Sequence, residues 1–288
     1  MDIQTASERH EMLENLIAVV SHLTPSFSER LKSKLDENEV KLYGAVEGVT
    51  FEEGNWFRPH HNFIATSAML ALCLKDDLER NVLMPAAILH YIGYSALKIS
   101  KYGADWQGKD KRVAHMEAGA LMAKDVLKDS SLSPEKIGEI IEIIRTHDNC
   151  YIGEPYQTHN QLYHRDADRL YVMSFSSFYK DALNYLDTGI IFSVEEHLID
   201  RIAHFYESED DNPIKPEFSL DRARSGKSEG KACIPFTLST AKIFGGEQFV
   251  QRAEEVKERI ADMNPSSFSK YSEQRLNLEA DWLISRLF

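Results

Sequence analysis

The sequence predicts an all-α protein, and three observations carry that reading. From residue 8 to 46 apolar positions such as Leu13, Leu16, Ile17, Val20 and Leu23 recur at spacings of three and four, the period of one helix face. From His60 to about Tyr206 almost all of the chain keeps this habit, and alternating strand patterns are scarce. Helix starts are also marked: in "SLSPEKI" Ser133 can cap, Pro134 suits the first helical position and Glu135 falls in the first turn.

The elements follow in order. N-terminal helices occupy residues 1–50, with "LTPS" at 23–26 expected to interrupt the first of them. A central helical domain spans 51–206. Residues 207–232, polar and broken by Pro213, Pro216, Gly226 and Gly230, read as a mobile loop or linker. A C-terminal helical segment, 233–288, puts Phe249, Val250, Ala253, Val256 and Ile260 on one face. Core cover, a homodimer surface and partner binding all fit the two flanking segments.

At 288 residues the chain can bury a sizeable core, and a hydrophobic fraction of 43% is ordinary for a soluble protein. No apolar run approaches the roughly 18 residues of a membrane span, so no membrane partner is expected. The three cysteines, Cys73, Cys150 and Cys233, are odd in number and far apart. They argue against a disulfide scaffold or a thiolate zinc site and fit a reducing compartment. With no secretory pattern at the start, a cytoplasmic location is expected.

A formal net charge of -13 disfavours nucleic acid, because an acidic surface repels the phosphate backbone. One stretch runs the other way: "LKISKYGADWQGKDKR" carries Lys98, Lys101, Lys109, Lys111 and Arg112. It is either a solvated loop or a local counter-charge for phosphates near a site.

The histidines carry the chemistry. Seven of eleven lie between positions 60 and 164. His60 and His61 open "HHNFIATSAMLALCL"; His90 ends "VLMPAAILH"; His115 begins "HMEAGALMAKDVL"; His147 ends "IGEIIEIIRTHD" beside Asp148. "HRDADRLYVMS" then supplies Asp166 and Asp168. Singly, each has a dull explanation as a core or capping residue, and Asp166 as a helix cap. Together, buried polar side chains each need a partner, and a shared cation satisfies several at once. Imidazole and carboxylate ligands held on helices suit a divalent transition ion.

These stretches, in this order, resemble the HD-domain superfamily of metal-dependent phosphohydrolases. An isolated His at 61 (or 60), "AILHYIG", "HMEAGALMAKDVL", "EIIRTHD" and "DADRL" follow the family's succession over about residues 55–185. The resemblance implies an HD-domain-like helical bundle and a divalent ion (Mn, Fe, Ni, Zn or Mg) on His61, His90 and Asp168. It implies that His115 and His147 serve a second metal or the substrate phosphate. With Asp148, they are the candidates for general acid and base work. Arg145 and Arg169, each beside a proposed site residue, are candidates for gripping phosphate oxygens of a small phosphorylated substrate.

One position departs from the family. Its defining His-Asp pair is here His90-Tyr91. The family's carboxylate ligates and bridges metals, whereas a phenol with a pKa of about 10 is normally neutral and a weak ligand. A single-metal site is therefore expected. Three functions follow, in order of preference. The first is a phosphohydrolase acting on a nucleotide or other small phosphate ester, the second a non-catalytic relative that binds a ligand or partner protein. The third is an iron-dependent oxygenase, which a two-His, one-carboxylate set permits without selecting it.

Overall fold

A computed structural model describes residues 5–50, 57–96, 109–188, 197, 236–241 and 264–285. Within them the chain is helical and has no strand. The expected loop at 207–232 and the apolar face at 249–260 lie outside the described residues.

Helix α1 (Ala6–Lys32) opens with a reciprocal capping box between Thr5 and Glu8. It runs straight through "LTPS", so the expected interruption does not occur there. The Thr24 hydroxyl donates to Val20 O at 2.7 Å, and Leu16, Val20, Phe27 and Leu31 are buried on either side of Pro25. Burial of that stripe outweighs the lost hydrogen bond, which for a helix-interior proline costs about 3 kcal/mol. The break comes instead at residues 33–36, before α2 (Glu37–Thr50).

Helix α3 (Phe57–Lys75) and α4 (Arg80–Leu89) form the centre. Every residue of α4 from Val82 to Leu89 is buried, the signature of a helix enclosed by others. It packs against α2, α3, α6 (Pro134–Thr146) and α8 (His159–Val172). Ser133 caps α6 as expected, accepting from Lys136 N, and Ile140, Ile143 and Ile144 turn inward. After a short α7 (Asn149–Ile152), Gly153 adopts a left-handed φ of 75° that ends the helix. Helix α9 (Phe175–Thr188) and the last long helix α11 (Pro265–Ser285) pack on α1, while the single turn α10 (Ser239–Ala241) touches α3 and α8. No helix among the described residues is long and apolar enough to cross a membrane.

Two features place the site. At His90 the chain tightens from α4 into a 3-10 segment, η1 (His90–Ala96), which lies on α5 (Lys109–Leu127). The two backbones touch at glycines: a Cβ on Gly93 would sit 2.0 Å from His115 O and 2.5 Å from Gly119 N. Only glycine allows that approach, and it brings "HYIG" against "HMEAG".

The second feature is α8, which carries buried charge. It starts at His159 under a Thr158–Gln161 capping box, so Asp166 stands mid-helix and caps nothing there. Its carboxylate pairs with fully buried Arg165 and accepts from the backbone N–H groups of Thr237 and Leu238 at 2.7 and 2.8 Å. Asp166 thus ties residues 237–238 to the bundle.

Candidate metal centre

His90 and His147 are placed by the same local device. Each stands one step past the end of its helix and sets Nδ1 2.7 Å from the carbonyl three residues back, Ala87 O for His90 and Ile144 O for His147. A neutral ring spends its one N–H on that bond, which leaves Nε2 as a lone pair facing inward. Binding the second nitrogen to a backbone carbonyl is also how metal-ligating histidines are oriented.

The first group forms around His90. His61 on α3 sets Nε2 2.7 Å from Asp168 Oδ1, and His90 Nε2 lies 3.2 Å from the same oxygen and 3.3 Å from His61 Nε2. All three side chains are buried or nearly so. His60, the neighbouring candidate, turns away: its Nδ1 lies 3.1 Å from the Thr24 hydroxyl of α1. Since that hydroxyl donates to Val20, the His60 ring donates to it.

The second group stands beside it. His115 Nε2 and His147 Nε2 face each other at 3.0 Å, and Asp148 Oδ2 lies 3.4 Å from His115 Nε2. The ligand atoms of each trio lie within 4.8 Å of one another, so each can hold a metal ion. The groups meet where the edge of the His90 ring packs on His147, centroids 5.2 Å apart.

Burial disfavours the charged form of three of these imidazoles. Burial lowers the His61 pKa to about 4, against the pull of Asp168, and the His115 pKa to about 3, against that of Asp148. Burial lowers His147 as well. For the carboxylates burial works upward, but it is outweighed: by the His61 and His90 imidazoles at Asp168, and by Arg112 with the two histidines at Asp148. Imidazole nitrogens and carboxylate oxygens thus converge in each group, a donor set that binds a proton or, with that proton released, a cation. The donor set therefore fits a divalent ion on the residues' own chemistry.

Tyr91 takes a place beside His61. Its ring stacks on His61 at 4.0 Å and touches Tyr94 at 4.3 Å, and Tyr94 stacks on His115 at 4.0 Å. The two tyrosines thus form an aromatic wall from one group to the other. Burial pushes both phenols well above their usual pKa, so they are neutral.

The two predicted arginines differ in their surroundings. Arg145 is one-third exposed and pairs with Glu117 and Glu142 on the surface, apart from both groups. Arg169 is buried and lies over the Phe236 ring at 5.2 Å. Of the basic stretch, Lys111 is exposed, but Arg112 is buried and donates to Asp148 Oδ2 at 2.8 Å. Two residues that motif order does not single out join the site. Arg112 is one; the other is His164, whose ring lies 5.0 Å from that of His90 and 6.1 Å from that of His147. Its spacing of four from Asp168, one helical turn on the same face, is a signal that the sequence does contain.

No family model, no curated protein and no solved structure matches the chain. The class is therefore defined by fold and site alone. This is an all-α protein with, among the described residues, two adjacent His-His-Asp groups, each of which could hold a metal ion.

Proposed function

We propose that the protein is a divalent-metal-dependent phosphohydrolase of the HD-domain type, acting on a nucleotide or another small phosphate ester in the cytoplasm. The observation that carries the reading is the convergence of His61, His90 and Asp168 beside His115, His147 and Asp148, with lone pairs and carboxylates facing inward. His61, His90 and Asp168 would hold the ion. Mn, Fe, Ni, Zn and Mg are the candidates, and the two imidazoles favour the transition metals over Mg.

Such an ion supplies polarisation of a phosphoryl oxygen and a lowered pKa for an attacking water. The chain's own groups do the rest. His115 and His147, whose Nε2 atoms lie 3.0 Å apart, could hold one proton between them beside the ion's site. Arg112 fixes Asp148 and brings a buried positive charge to the phosphate side of the site. Tyr91 and Tyr94 wall the groups from bulk water with neutral rings.

A second reading, a metal- or ligand-binding relative without turnover, is favoured by one observation: Tyr91 gives the site an aromatic face on His61 where the resemblance expects a bridging carboxylate. One experiment separates the readings. Metal content is measured on untagged protein, and phosphate release from a panel of nucleotides and small esters is followed with Mn, Mg or Ni. The expected result is about one equivalent of metal and phosphate release, with His90→Ala lowering both by at least about a hundredfold. Bound metal without phosphate release would establish the binding relative, and bound iron with oxygen consumption an oxygenase.

A further inference from the structure

His164 is buried to 1% exposure, and neither of its ring nitrogens has a hydrogen-bond partner. The carbonyl of Ala86 lies near enough to favour a protonated ring, yet it forms no bond of normal geometry. An imidazole buried in this way costs free energy that packing alone does not recover, because an apolar side chain of similar volume would fill the space without a desolvated polar atom. His164 therefore has ring nitrogens free to take up a ligand.

Its position says which. It projects from α8 one turn before Asp168, so the two share a helix face. Its ring meets the His90 ring edge-on at 5.0 Å. Its nitrogens stand outside the 4.8 Å cluster formed by the His61, His90 and Asp168 ligand atoms, so a side-chain rotation would bring one of them to an ion held there. Paired ligands four apart on one helix are a common way to grip an ion rigidly.

We propose that His164 is a fourth ligand-bearing side chain of the His61/His90/Asp168 centre, supplying a neutral imidazole nitrogen to the cation held there. This rests on the metal reading above. It also bears on the altered pair: with a tyrosine at position 91, the centre lacks a second carboxylate, and His164 restores a fourth protein donor without adding negative charge. A site with three imidazoles and one carboxylate selects borderline transition ions such as Zn, Fe, Ni or Co over Mg, which prefers oxygen donors.

Cobalt(II) is the probe, since its visible absorption reports ligand number and its titration reports affinity. The full-length protein is compared with His164→Leu and His164→Asn, and thermal unfolding is recorded with the metal removed. The expected result is a loss of about tenfold or more in cobalt affinity for both variants, with a changed cobalt spectrum. With metal removed, His164→Leu unfolds at or above the temperature of the unaltered protein. A ligand that is only a burden in the empty fold gives these opposite signs; a packing residue does not.

Unchanged affinity and spectrum in folded variants would overturn the assignment of His164 while leaving the three-residue centre standing. Failure of both variants to fold would make it a packing residue and overturn the assignment too. No cobalt binding by the unaltered protein would sink this inference together with the metal reading. Binding that His90→Ala abolishes and His164→Leu spares would sink this inference alone.

Discussion

Asp168 and Asp148 each close a pair of imidazoles, yet their charges are balanced differently. Asp148 has a built-in cation: Arg112 donates to it at 2.8 Å and itself lies 4.2 Å over the Tyr151 ring. Asp168 has no lysine or arginine partner among the described residues, only the Nε2 atoms of His61 and His90. A buried carboxylate without a counter-charge is costly, and in the first group either a ring N–H or a bound ion has to offset it. Two trios of the same residue types are therefore not two equal metal sites. The first is the stronger candidate for a resident ion, whereas the second already carries an arginine counter-charge.

Acid should test both groups at once and with the largest effect. The folded pKa values of His60, His61 and His115 fall to between about 3 and 4, whereas an unfolded histidine titrates near about 6.5. Between those values the unfolded chain binds more protons, so stability falls as pH drops through that window and is fully present above it. Asp148 and Asp168, also held low, add to the loss below about pH 4. Circular dichroism should show an acid unfolding midpoint between about pH 4 and 6. A protein folded unchanged at pH 3 would contradict the burial on which the comparison stands.

Gly93→Ala should break the comparison by separating the groups. Its Cβ would collide with backbone atoms of His115 and Gly119, which cannot swing aside as a side chain could. We expect a loss of about 3 kcal/mol or more, at the upper end for overpacking, read by urea unfolding. A change of under about 1 kcal/mol would mean that η1 and α5 are not held this close.

Arg112→Leu should sharpen it. Asp148 would be left buried without its counter-charge, at a cost of roughly 3 kcal/mol in metal-free protein. Added zinc should then recover more stability than in the unaltered protein, and metal uptake should rise from about one equivalent toward two. Unchanged stoichiometry would show that Arg112 is not what keeps the second group free of an ion.

Tyr91→Phe should have the smallest effect. The ring that stacks on His61 remains, and only the hydroxyl beside Tyr94 is lost. A loss of about 1 kcal/mol with metal affinity changed by less than threefold is expected. A larger drop in affinity would make the phenol oxygen itself a ligand.

Much of the fold was legible because helix periodicity and capping are local. Ser133 at the start of α6 and the inward stripe of α1 needed no tertiary information. "LTPS" misled because proline's local cost is smaller than the burial of the apolar stripe to either side, and burial is a property of the assembled bundle. In the site, the order of His61, His90, His115, His147 and Asp168 was readable, since each stands at the edge of an apolar helical run. The directions of Arg145 and Arg169 were not readable in this way. Adjacency in sequence turns successive helical side chains about a hundred degrees apart, and these two point to surface glutamates and to Phe236.

The sequence by itself determined that the chain is helical, acidic and rich in histidine at helix ends, because residue spacing and charge are properties of the chain alone. Tertiary structure decided which polar groups share a point in space. It chose His61 over His60, spent Asp166 on a backbone clasp, paired Arg112 with Asp148 and brought His164 to His90. Those choices depend on the directions in which packed helices aim their side chains, and here a glycine contact between η1 and α5 sets that aim.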